Sequence, residues 1–448
     1  MVTTIRRALD RVKDELPLLI AQPVNNYLQQ HREFVWRQRQ LDPFTLMHLF
    51  VIQIMHGNTA IEHLRHLANL STSATAYCQA RMRLPLALVN YVNTWITTQL
   101  IDVSNQACRW RGHRIWRGDG TSFSMPDTPA LQKYFGQPGG QAKGCGFPVA
   151  TTLVLCNAAG FIIKTLALPM RIHEGSQLSR LYDHLAAGDV VVYDRAGCSF
   201  VQLALLSMRN LHGILRMHQK QIVSFRPGRK YARQLPKHRR KGAPKSQWLT
   251  RNGKHDQLVR WFKPKDKPAW MTWEDYESIS ESVIVRELRY AVKRRGFRSR
   301  AITLVTTLID SQTYPAAELA EQYLGRWEIE TNFRHLKQTM GMEVLKCKTV
   351  DGVLKELAIF TLVYNLVRLV MLRAAQRQQV TVDRISFVDA LRWLRDYEGG
   401  ELTDLVVNPK RLDRVEPRAI KRRPKQYPRM TRPRQELRQH MIKQRLAT

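Results

Sequence analysis

The chain has 448 residues, 44% of them hydrophobic, which is enough for a large core and two or three domains. Lys and Arg number 71 against 37 Asp and Glu, a formal charge of +34. That surplus makes a polyanion the expected partner, nucleic acid before a membrane surface. Six cysteines (Cys78, Cys108, Cys145, Cys156, Cys198, Cys347) form no C-x-x-C pair and no zinc-finger spacing, so free thiols in a reducing cytosol are expected.

The opening MVTTIRRALDRVKDELP mixes acids and bases around no apolar run, so no export signal is expected. Residues 1–110 carry helical periodicity, as in PFTLMHLFVIQIMHG and AIEHLRHLANL. In LSTSATAYCQARMRLP a Ser/Thr cluster marks a helix start, followed by Gln79, Arg81 and Arg83. These basic residues read either as a DNA-binding face or as a solvated one.

From about 111 the pattern becomes that of strands. Residues 113–123 carry Asp119, 148–156 read PVATTLVLC and 160–168 read GFIIKTLAL, the last two flanking a turn-rich Asn157–Gly160 that suggests a hairpin. A helix over SQLSRLYDHLAAG follows, then the buried-strand run Val190–Tyr193 ending on Asp194, a helix near VQLALLSMRN and a short strand GILRM. Asp119 precedes Gly120 and so also reads as a turn residue. Asp194 also reads as a helix N-cap. A carboxylate at the end of a buried strand is costly unless paired, hydrogen-bonded or bound to a cation.

Residues 218–300 break this order. They are basic, with Arg239, Arg240 and Lys241 in RPGRKYARQLPKHRRKGAPK, and they hold Trp248, Trp261, Trp270 and Trp273. Short alternating pieces such as LVRWF make this a β-rich insertion. Its aromatics suit either stacking on unpaired bases or a small core of their own. A final strand ITLVTTLI (302–309) precedes YLGRWEIETNFRHLK. There Tyr323, Arg326, Glu330 and Lys337 fall within roughly 60° of one another on a helix, beside an apolar stripe of Ile329, Phe333, Leu336 and Met340. An ordinary amphipathic helix sets its charges opposite the apolar stripe instead. The run from 357 to 375 is broken by Arg368 and Arg373 and reads as a buried core helix. Beyond Lys410 the chain is Pro- and Arg-rich, including Arg422, Arg423 and Lys425, and reads as an extended electrostatic tail.

The triple Asp119, Asp194, Glu330 together with Tyr323, Arg326 and Lys337 resembles the DDE transposases with the Y-R-E-K signature, the insertion-sequence-four group. DGTSFSMPD, YDRAGCSF and YLGRWEIETNFRHLK carry the likeness, which spans roughly 40–370. It implies an α/β fold. A ribonuclease-H-like catalytic core (111–217 and 301–376) is interrupted by the β-rich insertion (218–300). A helical DNA-binding region (1–110) precedes the core, and a helical segment with a basic tail (377–448) follows it. In such a core the two Asp-bearing strands lie side by side.

The resemblance further implies metal-dependent cleavage of transposon ends at terminal inverted repeats and joining of the 3′ ends to target DNA, by way of a hairpin. Three carboxylates without a Cys/His cluster suit two Mg²⁺ ions, with Mn²⁺ as a substitute. In that arrangement Asp119 bridges both ions while Asp194 and Glu330 each hold one. Tyr323, Arg326 and Lys337 would grip phosphates beside the scissile bond. Relatives that use a hairpin hold a flipped base on a tryptophan in the strand before the Glu helix. Here no Trp lies between Trp273 and Trp327, so another aromatic such as Phe297 would serve, or the hairpin step differs. A homodimer on paired ends is implied, in the cytoplasm at the bacterial nucleoid and with no membrane partner. For its interface the segments 357–375 and 386–397 are candidates, against burial in their own domain. Two other readings stand beside this one: a catalytically silent DNA-binding relative, and a nuclease that cuts without joining.

Overall fold

The computed structural model describes residues 12–36, 40–105, 109–140, 142–291, 301–396, 402–409, 430 and 432–446. The chain opens on helices α1 (Val12–Gln30), α2 (Pro43–Met55), α3 (Ile61–Leu67), α4 (Ala74–Arg83) and α5 (Leu86–Asn105). Local chemistry starts two of them. Asp42 accepts the Thr45 amide at 2.7 Å ahead of Pro43, and Ser73 accepts the Ala76 amide at 3.1 Å.

Next come β1 (Arg109–Trp110), β2 (His113–Ser124), α6 (Pro129–Phe135), β3 (Val149–Asn157), β4 (Ile162–Pro169), α7 (Ser179–Tyr182), β5 (Val190–Tyr193), α8 (Phe200–Met208) and β6 (His212–Arg216). The insertion supplies β7 (Gln247–Gly253), β8 (Asp256–Phe262), α9 (Trp273–Ser278) and β9 (Ser282–Ala291). Then follow β10 (Ala301–Thr306), α10 (Ala316–Gly325), α11 (Glu328–Arg334), α12 (Val350–Arg377), α13 (Phe387–Asp396) and α14 (Arg434–Leu446).

The strands form one sheet, ordered β4-β3-β2-β5-β6-β10-β9-β8-β7, with β1 paired to β2 off this path. β2, β3 and β4 are an antiparallel meander, whereas β5 and β6 run parallel to β2. Both faces of the central strands are covered. Ile115, Val190, Val192, Ile214 and Leu304 meet Leu319, Ala320 and Tyr323 of α10. The alternate residues Val191 and Tyr193 face a larger core shared with α8, α12 and the N-terminal helices.

Helix α12 is the spine of that larger core. It packs against α2 and α5, against β4 and against α13, and is buried almost end to end. Its length and apolarity would suit a membrane span, yet the helix is enclosed by protein. Several of its buried polar side chains are partnered, while the Tyr364 hydroxyl and Arg373 Nε are not. Asn365 accepts from the Ile162 amide and donates to its carbonyl, both at 2.8 Å, and Arg368 Nε donates to the Ala159 carbonyl at 3.0 Å.

On four points the structure adds to or departs from what the sequence suggested. The segment over 176–188 contains a single helical turn, α7. The insertion's strands are not a separate unit: β9 hydrogen-bonds to β10 along its length and extends the main sheet. The segments proposed for a partner are used internally, since α12 is enclosed and α13 turns Phe387, Ala390, Leu391 and Leu394 into the same core. The helix expected to carry the polar stripe is broken after Gly325. There the amides of Arg326, Trp327, Ile329 and Glu330 reach back three residues rather than four, and a π turn (His335–Thr339) follows α11. The apolar stripe survives the break, with Ile329, Phe333, Leu336 and Met340 all buried.

Candidate active site

Parallel pairing of β2 with β5 brings the first two acids together. Ile115, Trp116 and Arg117 lie opposite Val190, Val191 and Val192, so continuing the register two residues sets Asp119 level with Asp194. Adjacent strands are about 4.8 Å apart. By strand alternation both carboxylates leave the face that carries Ile115, Val190 and Val192. The row continues into β6: Tyr193 lies opposite Leu215, which puts Arg216 level with Asp194 on the same face.

The third acid comes from the far end of the chain. Arg326 closes α10, and its Nη1 donates to Asp119 Oδ2 at 2.5 Å. The guanidinium lies over the rings of Tyr323 and Trp327, 5.8 and 5.7 Å from their centroids. One turn further on, Glu330 stands exposed on α11 and shares the field of Asp119 and Arg326. Tyr323 is buried, its hydroxyl engaged by Arg326 and Arg216. Lys337 sits half-buried on the π turn.

The electrostatics follow from this crowding. Burial pushes the Asp119 carboxyl up and Asp194 adds to the rise, against Arg326 and the Gly120 amide, which donates to Oδ1 at 2.8 Å. Burial also raises Glu330, with Arg326 opposing and Asp119 adding to the shift. Asp194 Oδ1 accepts the Ala196 amide at 2.8 Å and caps the short turn Arg195–Gly197, so the capping reading holds alongside its place in the row. Among the described residues no three Asp, Glu, His or Cys side chains converge closely enough to enclose an ion. The counter-charge beside Asp119 is Arg326. The donors offered are hard carboxylate oxygens, the set that suits Mg²⁺ or Mn²⁺.

Sequence reasoning missed several residues here. Arg216 lies in a plain strand, and only sheet register reveals it. Arg117, buried on β2, pairs with Glu328 and packs over Gly325, where any β-carbon would meet its guanidinium. The glycines flanking Asp119 are filled in the same way: a β-carbon at Gly118 would fall on the Tyr193 ring, and one at Gly120 on the Glu174 carboxylate, 2.6 Å from Oε1. Glu174 lies in an aperiodic loop, which carries no signal readable in one sequence.

The basic residues singled out are scattered. Arg81 is half-buried: its Nη1 donates to Gln53 Oε1 at 2.8 Å and its guanidinium covers Phe50 at 4.6 Å, contacts made within the N-terminal helices. Arg83, Arg239, Arg240 and Lys241 are exposed. Arg422, Arg423, Lys425 and Phe297 lie outside the described residues. Of the insertion's tryptophans, Trp261 is buried and donates to Glu287 at 2.9 Å, whereas Trp270 and Trp273 are exposed.

Residues 112–366, more than half of the chain, match the family described as the transposase DDE domain. The chain is 25% identical over 376 residues to transposase InsG of insertion sequence element IS4 from Escherichia coli (strain K12), covering 79% of this chain and 78% of that protein. Among solved structures it is similar to piggyBac transposase, from a cryo-EM synaptic complex with hairpin DNA. There the TM-score is 0.41 at 10% identity, covering 87% of this chain and 78% of that one. The matched span runs from β2 to α12 and so contains Asp119, Asp194, Arg326 and Glu330: the chain belongs to the DDE transposase family, enzymes that cleave and join DNA strands.

Proposed function

We propose that this transposase binds the terminal inverted repeats of its own insertion sequence, cleaves the ends by metal-dependent hydrolysis and joins the freed 3′ ends to target DNA. The observation that carries this is the level placement of Asp119 and Asp194 on paired parallel strands, with the Glu330 segment tied to Asp119 through Arg326. The meander β2-β3-β4 continued by parallel β5 and β6 supports a ribonuclease-H-like core. Asp119, Asp194 and Glu330 would hold two Mg²⁺ ions, or Mn²⁺ in their place. The ions, once bound, supply an activated nucleophile and charge stabilisation at the leaving oxygen.

The chain's own residues then divide the remaining work. Arg326 and Arg216 are cations near the carboxylates, Lys337 follows Glu330 by seven residues on the same segment, and all three are suited to phosphate oxygens. Tyr323 braces the two arginines from below. Exposed basic residues and the tail give electrostatic affinity along the duplex. Excision through a hairpin, action as a homodimer on paired ends, and residence at the bacterial nucleoid complete the reading.

A plasmid carrying the element's flanking repeats tests it. With Mg²⁺ we expect excised linear element, a hairpin-ended intermediate on denaturing gels, and end-to-plasmid joined products. The expected complex holds two subunits on two ends. Nicking without joining would instead identify a nuclease, and binding without nicking a silent relative.

A further inference from the structure

We propose that α4 is the helix that reads base sequence in the transposon end, lying in the major groove with Thr75, Gln79 and Arg83 outward. The proposal rests on the terminal-repeat reading above and names the element that does the recognising. Helices α2, α3 and α4 pack on one another as a three-helix unit, with Phe50, Ile54, Leu64, Tyr77 and Ala80 buried. A short helix followed across a turn by a longer one is the arrangement that presents the second helix to DNA. The turn here is firmly set. Asn69 takes the left-handed conformation at φ 46°, Arg65 Nε donates to the Thr72 carbonyl at 2.6 Å, and Ser73 caps α4.

The two sides of α4 divide by chemistry. Tyr77 and Ala80 face the unit's interior, and Arg81 is turned to Gln53 on α2. On the other side Thr75, Gln79, Met82 and Arg83 are exposed, within an arc of roughly 100°. These are base-reading types: an amide suits the adenine edge, a guanidinium the guanine edge, and a hydroxyl or methyl group thymine. Beside the stripe a cleft of about 890 Å³ opens between α4 and the segment carrying Trp36 and Gln40. Gln79 and Arg83 line it, so that flank has room for a strand of the duplex. No acid occurs between Glu62 and Asp102, so phosphates beside the helix meet no like charge from this stretch.

A reader must also stand at a fixed distance from the bond that is cut, and α4 is tied to the catalytic core. Lys355 of α12 donates to the Arg81 carbonyl at 3.3 Å and to the Met82 carbonyl at 3.0 Å, holding the end of α4. The next residue, Glu356, accepts from Asn58 Nδ2 at 2.5 Å and from the Lys346 and Cys347 amides at 2.9 Å. That stretch bridges at Val344 to Ser124, the last residue of the strand that carries Asp119. Bases under α4 and a phosphate beside Asp119 are thereby held in one register.

Fluorescence anisotropy of the full-length protein, on a terminal-repeat duplex and on a shuffled duplex of equal length, tests this without a cleavage readout. Gln79→Ala should lower the preference for the repeat by roughly five- to a hundredfold, the effect of losing one bidentate base contact. Affinity for the shuffled duplex should stay within about twofold. Thr75→Ala should act in the same direction and less strongly. Both side chains are exposed, so both variants should melt with the parent. Single base-pair substitutions through the repeat add a signature that a structural role would not give. One pair whose replacement weakens the parent should cost Gln79→Ala nothing further. If the parent is selective and both variants keep its full preference, the reading helix is overturned and the terminal-repeat reading survives. A parent without preference overturns the terminal-repeat reading, and the helix assignment falls with it. Equal weakening on both duplexes would make α4 a backbone contact, and a changed sedimentation mass of the DNA-free variants would make it a contact between copies. Either result overturns the proposal.

Discussion

Arg326 holds Asp119 by a charge-assisted bond of 2.5 Å, with Arg326 buried and Asp119 only partly so. The Nε of Arg326 finds no acceptor, while the rest of the guanidinium is committed to Asp119 and to the Tyr323 hydroxyl. The group that the signature suggests for phosphate therefore neutralises the first acid in the DNA-free protein. A divalent ion and this guanidinium compete for one carboxylate.

Arg326→Ala should accordingly bind Mn²⁺ more tightly without DNA, by roughly three- to tenfold given the charge removed, yet cleave far more slowly. Titration of the DNA-free variant checks this. Weaker Mn²⁺ binding would show that Arg326 positions Asp119 for the ion rather than competing with it.

Asp119→Asn, Asp194→Asn and Glu330→Gln should each leave end binding within about twofold while cutting cleavage by at least roughly a hundredfold, since each removes an ion ligand and leaves the phosphate-binding cations in place. Gel shifts and plasmid cleavage, run side by side, separate the two effects. Near-normal cleavage in any one variant removes that residue from the site.

The raised carboxyls predict a pH signature. Asp119 and Glu330 are both shifted upward, chiefly by burial, so the metal-free folded state holds protons at a pH where the unfolded chain has released them. Their contribution to metal-free stability therefore declines as pH rises from the ordinary carboxylate range through the raised values. Mg²⁺ binds the deprotonated acids. Its stabilisation should be absent at low pH and emerge above the ordinary carboxylate range. Thermal melts with and without Mg²⁺, stepped upward in pH from the ordinary carboxylate range, check the sign. A Mg²⁺ effect that is constant over that span would contradict it.

Neutralising Arg422, Arg423 and Lys425 together should flatten the dependence of DNA affinity on salt. The slope should change by up to about 0.9 for each phosphate no longer neutralised, with the preference for end over random DNA unchanged. Loss of that preference would make the tail a reader of sequence.

Much of the site was legible from local pattern. The run Val190–Tyr193 reads as a buried strand because both of its faces are apolar, and the structure covers both. Asp119 and Asp194 stand out because a carboxylate at such a strand end needs a partner. Tyr323, Arg326, Glu330 and Lys337 stand out by spacing, and the apolar stripe beside them is buried as its periodicity requires.

Tertiary structure decided the rest. Spacing alone draws one continuous helix through YLGRWEIETNFRHLK. The chain breaks it at Arg326, where the guanidinium engages Asp119 on a strand some two hundred residues away. The placement of Arg216 beside Asp194 and of Glu174 over Gly120 depends on sheet register and on a loop docking, and neither leaves a periodic trace. The same holds for Arg81, whose partner Gln53 lies on another helix. Residue type and spacing specify local periodicity and the cost of burying a charge. Which opposite charge or aromatic face meets that cost is set by the meeting of distant segments, which happens only once the sheet and its covering helices have closed.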